Sequence, residues 1–123
     1  MADVDARTFD KPDETRPFAA HGQMEIVKVG GLTVGKGTFE PGWRWSEDVK
    51  PIAKTDSCQA THAGYIVSGR MHVKMDDGTE SEAGPGSVVV IRPGHDAWTV
   101  GDEACVYVDF GASVGQYAAQ ARA

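Results

Sequence analysis

Apolar residues recur at every second position in short runs along this chain, and glycine or proline closes each run. Met24 to Val29 alternates, and Leu32 to Phe39 alternates around glycines. Gly64 to Val67 is short and apolar, and Met71-His72-Val73-Lys74-Met75 alternates cleanly. Ser87 to Ile91 is a β-branched run of the buried type, and Ala104 to Phe110 closes the series. A period of two is the pattern of a strand with one face in the core. Breaks about every eight to twelve residues are the spacing of an all-β sandwich or barrel. The 15 glycines and 6 prolines supply those breaks, and no interior segment of twelve residues shows helical periodicity without a glycine or proline interruption.

Gly69, between Val67 and Met71, predicts a tight turn and a hairpin of His62–Val67 with Met71–Met75. Asp76-Asp77-Gly78 predicts a second hairpin turn. Parity then assigns faces. Met71, Val73 and Met75 point to the core, and His72 and Lys74 point away from it. His62, Gly64 and Ile66 share a face that Ile66 marks as interior. A buried imidazole needs hydrogen-bond partners or a metal.

The polar segment 1–20, with Pro12 and Pro17, reads as an N-terminal arm, residues 21–111 as the β-barrel, and 112–123 as a C-terminal tail. Within that tail, alanine-rich Gln116–Ala123 forms one helical turn or frays. A length of 123 residues fits one domain, and 41% apolar residues suffice for a core. With a formal net charge of −6 and twelve scattered basic residues, the chain lacks the concentrated cationic patch that nucleic acid requires. No stretch reaches transmembrane length and the N-terminus is acidic, so the expectation is a cytoplasmic protein with no membrane partner. Two cysteines do not make a disulfide scaffold. Cys105, within Ala104-Cys105-Val106-Tyr107-Val108, reads as a small core residue. Cys58 sits among polar residues, where that explanation is weaker.

Two clusters carry the candidate chemistry. The first is Thr55-Asp56-Ser57-Cys58-Gln59-Ala60-Thr61-His62, and the second is Arg92-Pro93-Gly94-His95-Asp96-Ala97-Trp98. Parity places Asp56, Cys58 and His62 on one inward face, and His95 and Ala97 on another. A thiolate, two imidazoles and a carboxylate form a shell suited to a divalent transition metal such as zinc, iron or nickel, rather than to magnesium or calcium. Trp98, Arg92, Asp96 and Trp45 are the candidate contacts for a small-molecule ligand. Asp96 is either an acid that orients His95 or a solvated loop residue, and Arg92 is either a cation over the mouth or an ion-pair partner. Trp43 and Trp45 either pack in the core or anchor the rim. His21 reads as a surface histidine.

The motifs resemble those of the small single-domain bacterial cupins. Their first motif is G-x5-H-x-H-x3–4-E-x6-G, and His62-x6-Gly69, with Tyr65-Ile66-Val67-Ser68-Gly69, looks like its end. Their second is G-x5-P-x-G-x2-H-x3-N, and Gly86 through Pro93-Gly94 looks like its start. The resemblance spans roughly residues 30 to 110 and implies a cupin-type double-stranded β-helix, a jelly-roll barrel. The ligand positions depart from the pattern. His62 stands at the glutamate position, Cys58 at the second histidine and Asp56 at the first. Ala97 stands at the second motif's histidine and Gly101 at its asparagine, while His95 comes two residues early with the same parity as Ala97.

Two functions compete. In one, a metal held by Cys58, His62 and His95 acts as Lewis acid or redox centre on a small organic molecule, with Asp56 as fourth ligand or as the acceptor that orients an imidazole. In the other, the barrel is a non-catalytic binding or sensing module, with or without metal. A homodimer is expected in either case, formed by lending the arm or an edge strand to a neighbour.

Overall fold

The computed structural model describes residues 3–111, 113 and 114, and the Gln116–Ala123 tail lies outside them. Nine strands and two single helical turns are present among the described residues. The strands are β1 Glu14–Pro17, β2 Gly22–Val29, β3 Leu32–Phe39, β4 His62–Ser68, β5 Arg70–Met75, β6 Glu80–Ala83, β7 Val88–Ile91, β8 His95–Val100 and β9 Cys105–Asp109. The helical turns, α1 Trp45–Asp48 and α2 Lys50–Ala53, lie between β3 and β4. The strands form a six-stranded sheet in the order β1-β2-β3-β9-β4-β7 and a three-stranded sheet in the order β6-β5-β8.

The period-two pattern orients the inner faces. Met24 and Ile26 on β2, Ile66 on β4, Met71 on β5, Ala97 on β8, and Cys105 and Tyr107 on β9 are all buried. Cys58 and Cys105 are both free thiols, and Cys105 has no exposed surface. At the end of the core next to β3, Phe39 stacks on Phe18 with centroids 5.3 Å apart and meets Trp43 at 4.5 Å. Trp43 and Trp45 are therefore core residues, each 2% exposed.

Three expectations are corrected. First, β4 and β5 do not form a hairpin: β4 pairs with β7 and β9, and β5 pairs with β6 and β8. Only Gly69 separates them, too short a link for the two-residue hairpin loop. The chain instead steps there from one sheet to the other. Gly69 has φ 75°, and a Cβ on it would stand 2.3 Å from the Ala104 carbonyl oxygen. Second, the segment read as an arm contains β1, which runs antiparallel to β2 from Glu14↔Ile26 to Pro17↔Gln23. It also contributes the buried Phe18, so the packed unit begins before residue 21. Third, the β7 run is buried on one face only, because Val88 and Val90 are 79% and 64% exposed. β7 ends the six-stranded sheet, and no further layer covers its outer face among the described residues.

The Asp76-Asp77-Gly78 turn does join β5 to β6, with the Gly78 N–H donating to the Met75 carbonyl. His21 has φ 62°, and its Nδ1 lies 3.1 Å from the buried Asp48 carboxylate.

Candidate metal centre

The two sequence clusters are joined by backbone. The Cys58 N–H donates to the His95 carbonyl at 2.7 Å, and the Gly94 N–H donates to the Cys58 carbonyl at 2.7 Å. This isolated bridge ties the irregular segment ahead of β4 to the start of β8. Ser57 secures it from the side, its hydroxyl donating to Asp76 at the β5–β6 turn at 2.8 Å. Cys58, His62 and His95 thereby converge, each buried, with one donor atom from each within 4.8 Å of the others.

Both imidazoles are held at Nδ1. His62 Nδ1 lies 2.6 Å from an Asp109 carboxylate oxygen, and His95 Nδ1 donates to the Arg92 carbonyl at 2.7 Å. Each ring thus turns its Nε2 edge toward the thiol, and His62 Nε2 lies 3.7 Å from Cys58 Sγ. Fixing one ring nitrogen on a carboxylate or carbonyl is how proteins set the tautomer and direction of a metal-binding histidine.

The electrostatics follow from burial and pairing. Burial pushes the Cys58 thiol up, but hydrogen bonds and positive charge from His62 and His95 outweigh it and bring the thiol down to about 6. Burial also works against a charged His62, yet Asp109 and Cys58 together raise it to about 9. Without a metal, the pocket therefore holds a thiolate beside an imidazolium, with the Asp109 carboxylate behind it. Cys105 shows the opposite behaviour: burial, then Glu103, pushes its thiol up to about 11.

Asp56 does not join this group. It is exposed, two residues before Cys58, in a stretch of bends where strand parity carries no information. The carboxylate that orients an imidazole is Asp109, on β9. The sequence did carry a signal for it, because Asp109 has the same parity as Cys105 and Tyr107, and an acid on the core face of a strand demands a partner. Its second oxygen accepts the Gly111 N–H at 2.7 Å.

Of the candidate ligand contacts, Trp45 lines a small void of about 20 Å³ beside His62 and His95. Arg92 is exposed and contributes its carbonyl to His95. Asp96 and Trp98 face the other way, since their parity is opposite to that of His95. Asp96 accepts the Ser46 N–H and pairs with Arg44 at 3.6 Å. Trp98 is packed between Arg44, 4.2 Å from its ring, and His72, stacked at 4.7 Å. Both residues hold the α1 segment against the outside of the three-stranded sheet, so they are corrected from ligand contacts to outer-face packing. His72 is accordingly part-covered, and it also bonds Glu80 at 2.8 Å.

No protein-family model and no curated protein matches the chain. Solved structures do. A protein of unknown function from Rhizobium leguminosarum shares 22% identity over 75% of this chain and 83% of its own, with a TM-score of 0.53. A DUF1255 protein of unknown function from Acidithiobacillus ferrooxidans shares 15% identity over 79% of this chain and 85% of its own, with a TM-score of 0.58. The oxalate decarboxylase of Lactobacillus farciminis shares 12% identity over 89% of this chain but only 32% of its own, with a TM-score of 0.60. At these identities the likeness concerns the fold alone, which is all-β and cupin-like, of the jelly-roll kind.

Proposed function

We propose that this protein binds a divalent transition metal through Cys58, His62 and His95 and acts on a small organic molecule beside it. The observation that carries this reading is the convergence of three buried donors whose two imidazoles are each held at Nδ1. One sulfur and two nitrogens suit zinc, iron or nickel, and three protein ligands leave a coordination position open. When bound, such an ion supplies Lewis-acid or redox chemistry. The chain's own residues do the rest. Asp109 and the Arg92 carbonyl hold the protons at Nδ1, while Trp43, Trp45 and Met71 wall the donors off from water.

The test is elemental analysis of protein purified without chelator, on wild type and on Cys58→Ala, His62→Ala and His95→Ala. Wild type should carry about one equivalent per chain. Each variant should lose it while keeping the β-sheet circular dichroism, and Asp56→Ala should retain it. Well under one equivalent in wild type, with no thermal stabilisation on adding zinc, iron or nickel, would sink the reading.

A second reading has its own observation. Cys58, His62 and Asp109 stand in the order thiol, imidazole, carboxylate, at 3.7 and 2.6 Å, which is the arrangement that activates a nucleophilic thiolate. It predicts a metal-free isolate whose Cys58 is alkylated by iodoacetamide at neutral pH in preference to Cys105.

A further inference from the structure

A second and larger cavity, of about 350 Å³, lies between the two sheets. β6 ends the three-stranded sheet and β7 ends the six-stranded sheet, and the two do not pair among the described residues. The exposed residues lining the cavity include Thr79 and Ser81 on the β6 side and Arg92 on the β7 side, which sets its mouth at the gap between these edges. Inside, Val73, Met75, Ala83 and Val89 form apolar walls. Met71, Ile91 and Tyr107 line both this chamber and the small void beside His62 and His95.

The charges around the mouth are not equally available. Glu80 and Glu82 stand opposite Lys74 and His72 in the β5–β6 register, on the outer face of that sheet. There Glu80 bonds His72 at 2.8 Å and Glu82 pairs with Arg70 at 3.2 Å, so both carboxylates are engaged. Ser81, between them, is opposite Val73 and shares its inward face. Arg92 differs from all of these. It follows the last residue of β7, it is exposed, and among the described residues its guanidinium makes no ion pair or hydrogen bond. Its backbone is nevertheless fixed, because its carbonyl accepts the His95 Nδ1 proton at 2.7 Å. The mouth therefore offers one anchored cation without a counter-charge, above an apolar interior.

We infer that the chamber binds an amphipathic monocarboxylate, its apolar body inside the walls and its carboxylate at the mouth on the Arg92 guanidinium. The volume falls in the range of small-molecule sites. The apolar walls take the body of the ligand and reject its charge, since a carboxylate buried there would lose its hydration and find no cation. At the mouth the planar guanidinium matches a carboxylate with two parallel hydrogen bonds while water still reaches the pair. One guanidinium balances one negative charge, and the flanking Glu80 and Glu82 disfavour a second. The inference names the class of the small organic molecule in the proposed function and rests on that reading for what becomes of the molecule, while binding in the chamber does not depend on a metal.

The probes are octanoate, octanol and octylamine, titrated calorimetrically into the full chain. Octanoate should bind about fivefold more tightly than octanol, the upper range of a solvent-exposed ion pair, and octylamine more weakly than either. Arg92→Gln should bring octanoate down to the affinity of octanol and leave octanol unchanged. Ala83→Phe, which fills the chamber from the edge strand, should abolish binding of octanoate and octanol alike. Octanol binding as tightly as octanoate would overturn the inference, as would a preference for octanoate that survives Arg92→Gln, or undiminished binding in a folded Ala83→Phe protein. The same titrations on chelator-treated protein separate the two readings. A preference for octanoate that is lost with the metal but kept in Arg92→Gln would put the carboxylate on the metal and overturn the inference. An Arg92-dependent preference in protein that as purified holds no metal would uphold the chamber and overturn the metal reading alone.

Discussion

Asp109 determines more about His62 than the strand that carries His62 does. With a carboxylate 2.6 Å from Nδ1, the proton stays on that nitrogen and Nε2 is left toward Cys58. In Asp109→Asn the amide oxygen can still accept the Gly111 N–H, but the amide nitrogen then faces Nδ1 and favours the other tautomer. Metal affinity should fall about 10- to 100-fold with the fold retained, measured by competition with a chromogenic chelator. The Cys58–His62 pair also sets a pH dependence. Metal binding requires a thiolate and a neutral imidazole. Cys58 is lowered to about 6, so above that pH the thiol has already lost its proton. His62 is raised to about 9, so up to that pH the imidazolium still holds one. Between these values zinc should displace about one proton per site, and affinity should rise about tenfold per pH unit until it levels above the His62 value. Isothermal titration in buffers of different ionisation enthalpy measures the proton count, and a count near zero at neutral pH would contradict the pairing.

At the scale of elements, the segment ahead of β2 belongs to the barrel. β1 pairs along β2, and Phe18 completes an aromatic cluster with Phe39 and Trp43. Removing residues 1–20 should therefore cost about 3 kcal/mol or more, the worth of a lost core aromatic. Removing residues 1–8 should cost less than about 1 kcal/mol, because residues 3–8 are all exposed. Chemical denaturation of the two truncations separates these outcomes, and equal midpoints would show that β1 adds nothing. The one-residue link at Gly69 matters in another way. It sends β4 and β5 to different sheets, which puts His62 in one sheet and His95, on β8, in the other. The candidate metal centre therefore bridges the two sheets.

At the scale of the molecule, the outer face of the six-stranded sheet presents Tyr65, Val67, Val88 and Val90, each at least 44% exposed, on the neighbouring strands β4 and β7. A contiguous exposed apolar patch of this kind marks an interaction surface. We propose that two copies of the chain pair through it. Light scattering on the full chain should give the mass of two chains, and Val67→Asp with Val88→Asp should reduce it to that of one. A wild-type monomer would overturn the pairing. Among the described residues no helix is long and apolar enough to cross a membrane.

The sequence by itself determined six of the nine strands described and brought Cys58, His62 and His95 forward as candidate donors, because parity and ligand chemistry are local properties of consecutive residues. Met24, Ile26, Ile66 and Met71 point inward as their spacing requires, and the cupin resemblance agrees with the fold found among solved structures. Tertiary structure alone decided which carboxylate serves the site. Asp56 lies close to Cys58 in sequence but outside any strand, so parity failed there, while Asp109 reaches His62 across 47 residues because β9 pairs with β4. The same long-range pairing placed β4 and β5 in separate sheets. It also left a chamber behind Tyr107 where two sheet edges do not meet. Such features depend on which strands pair, and a hydrophobic period records only which way each strand faces.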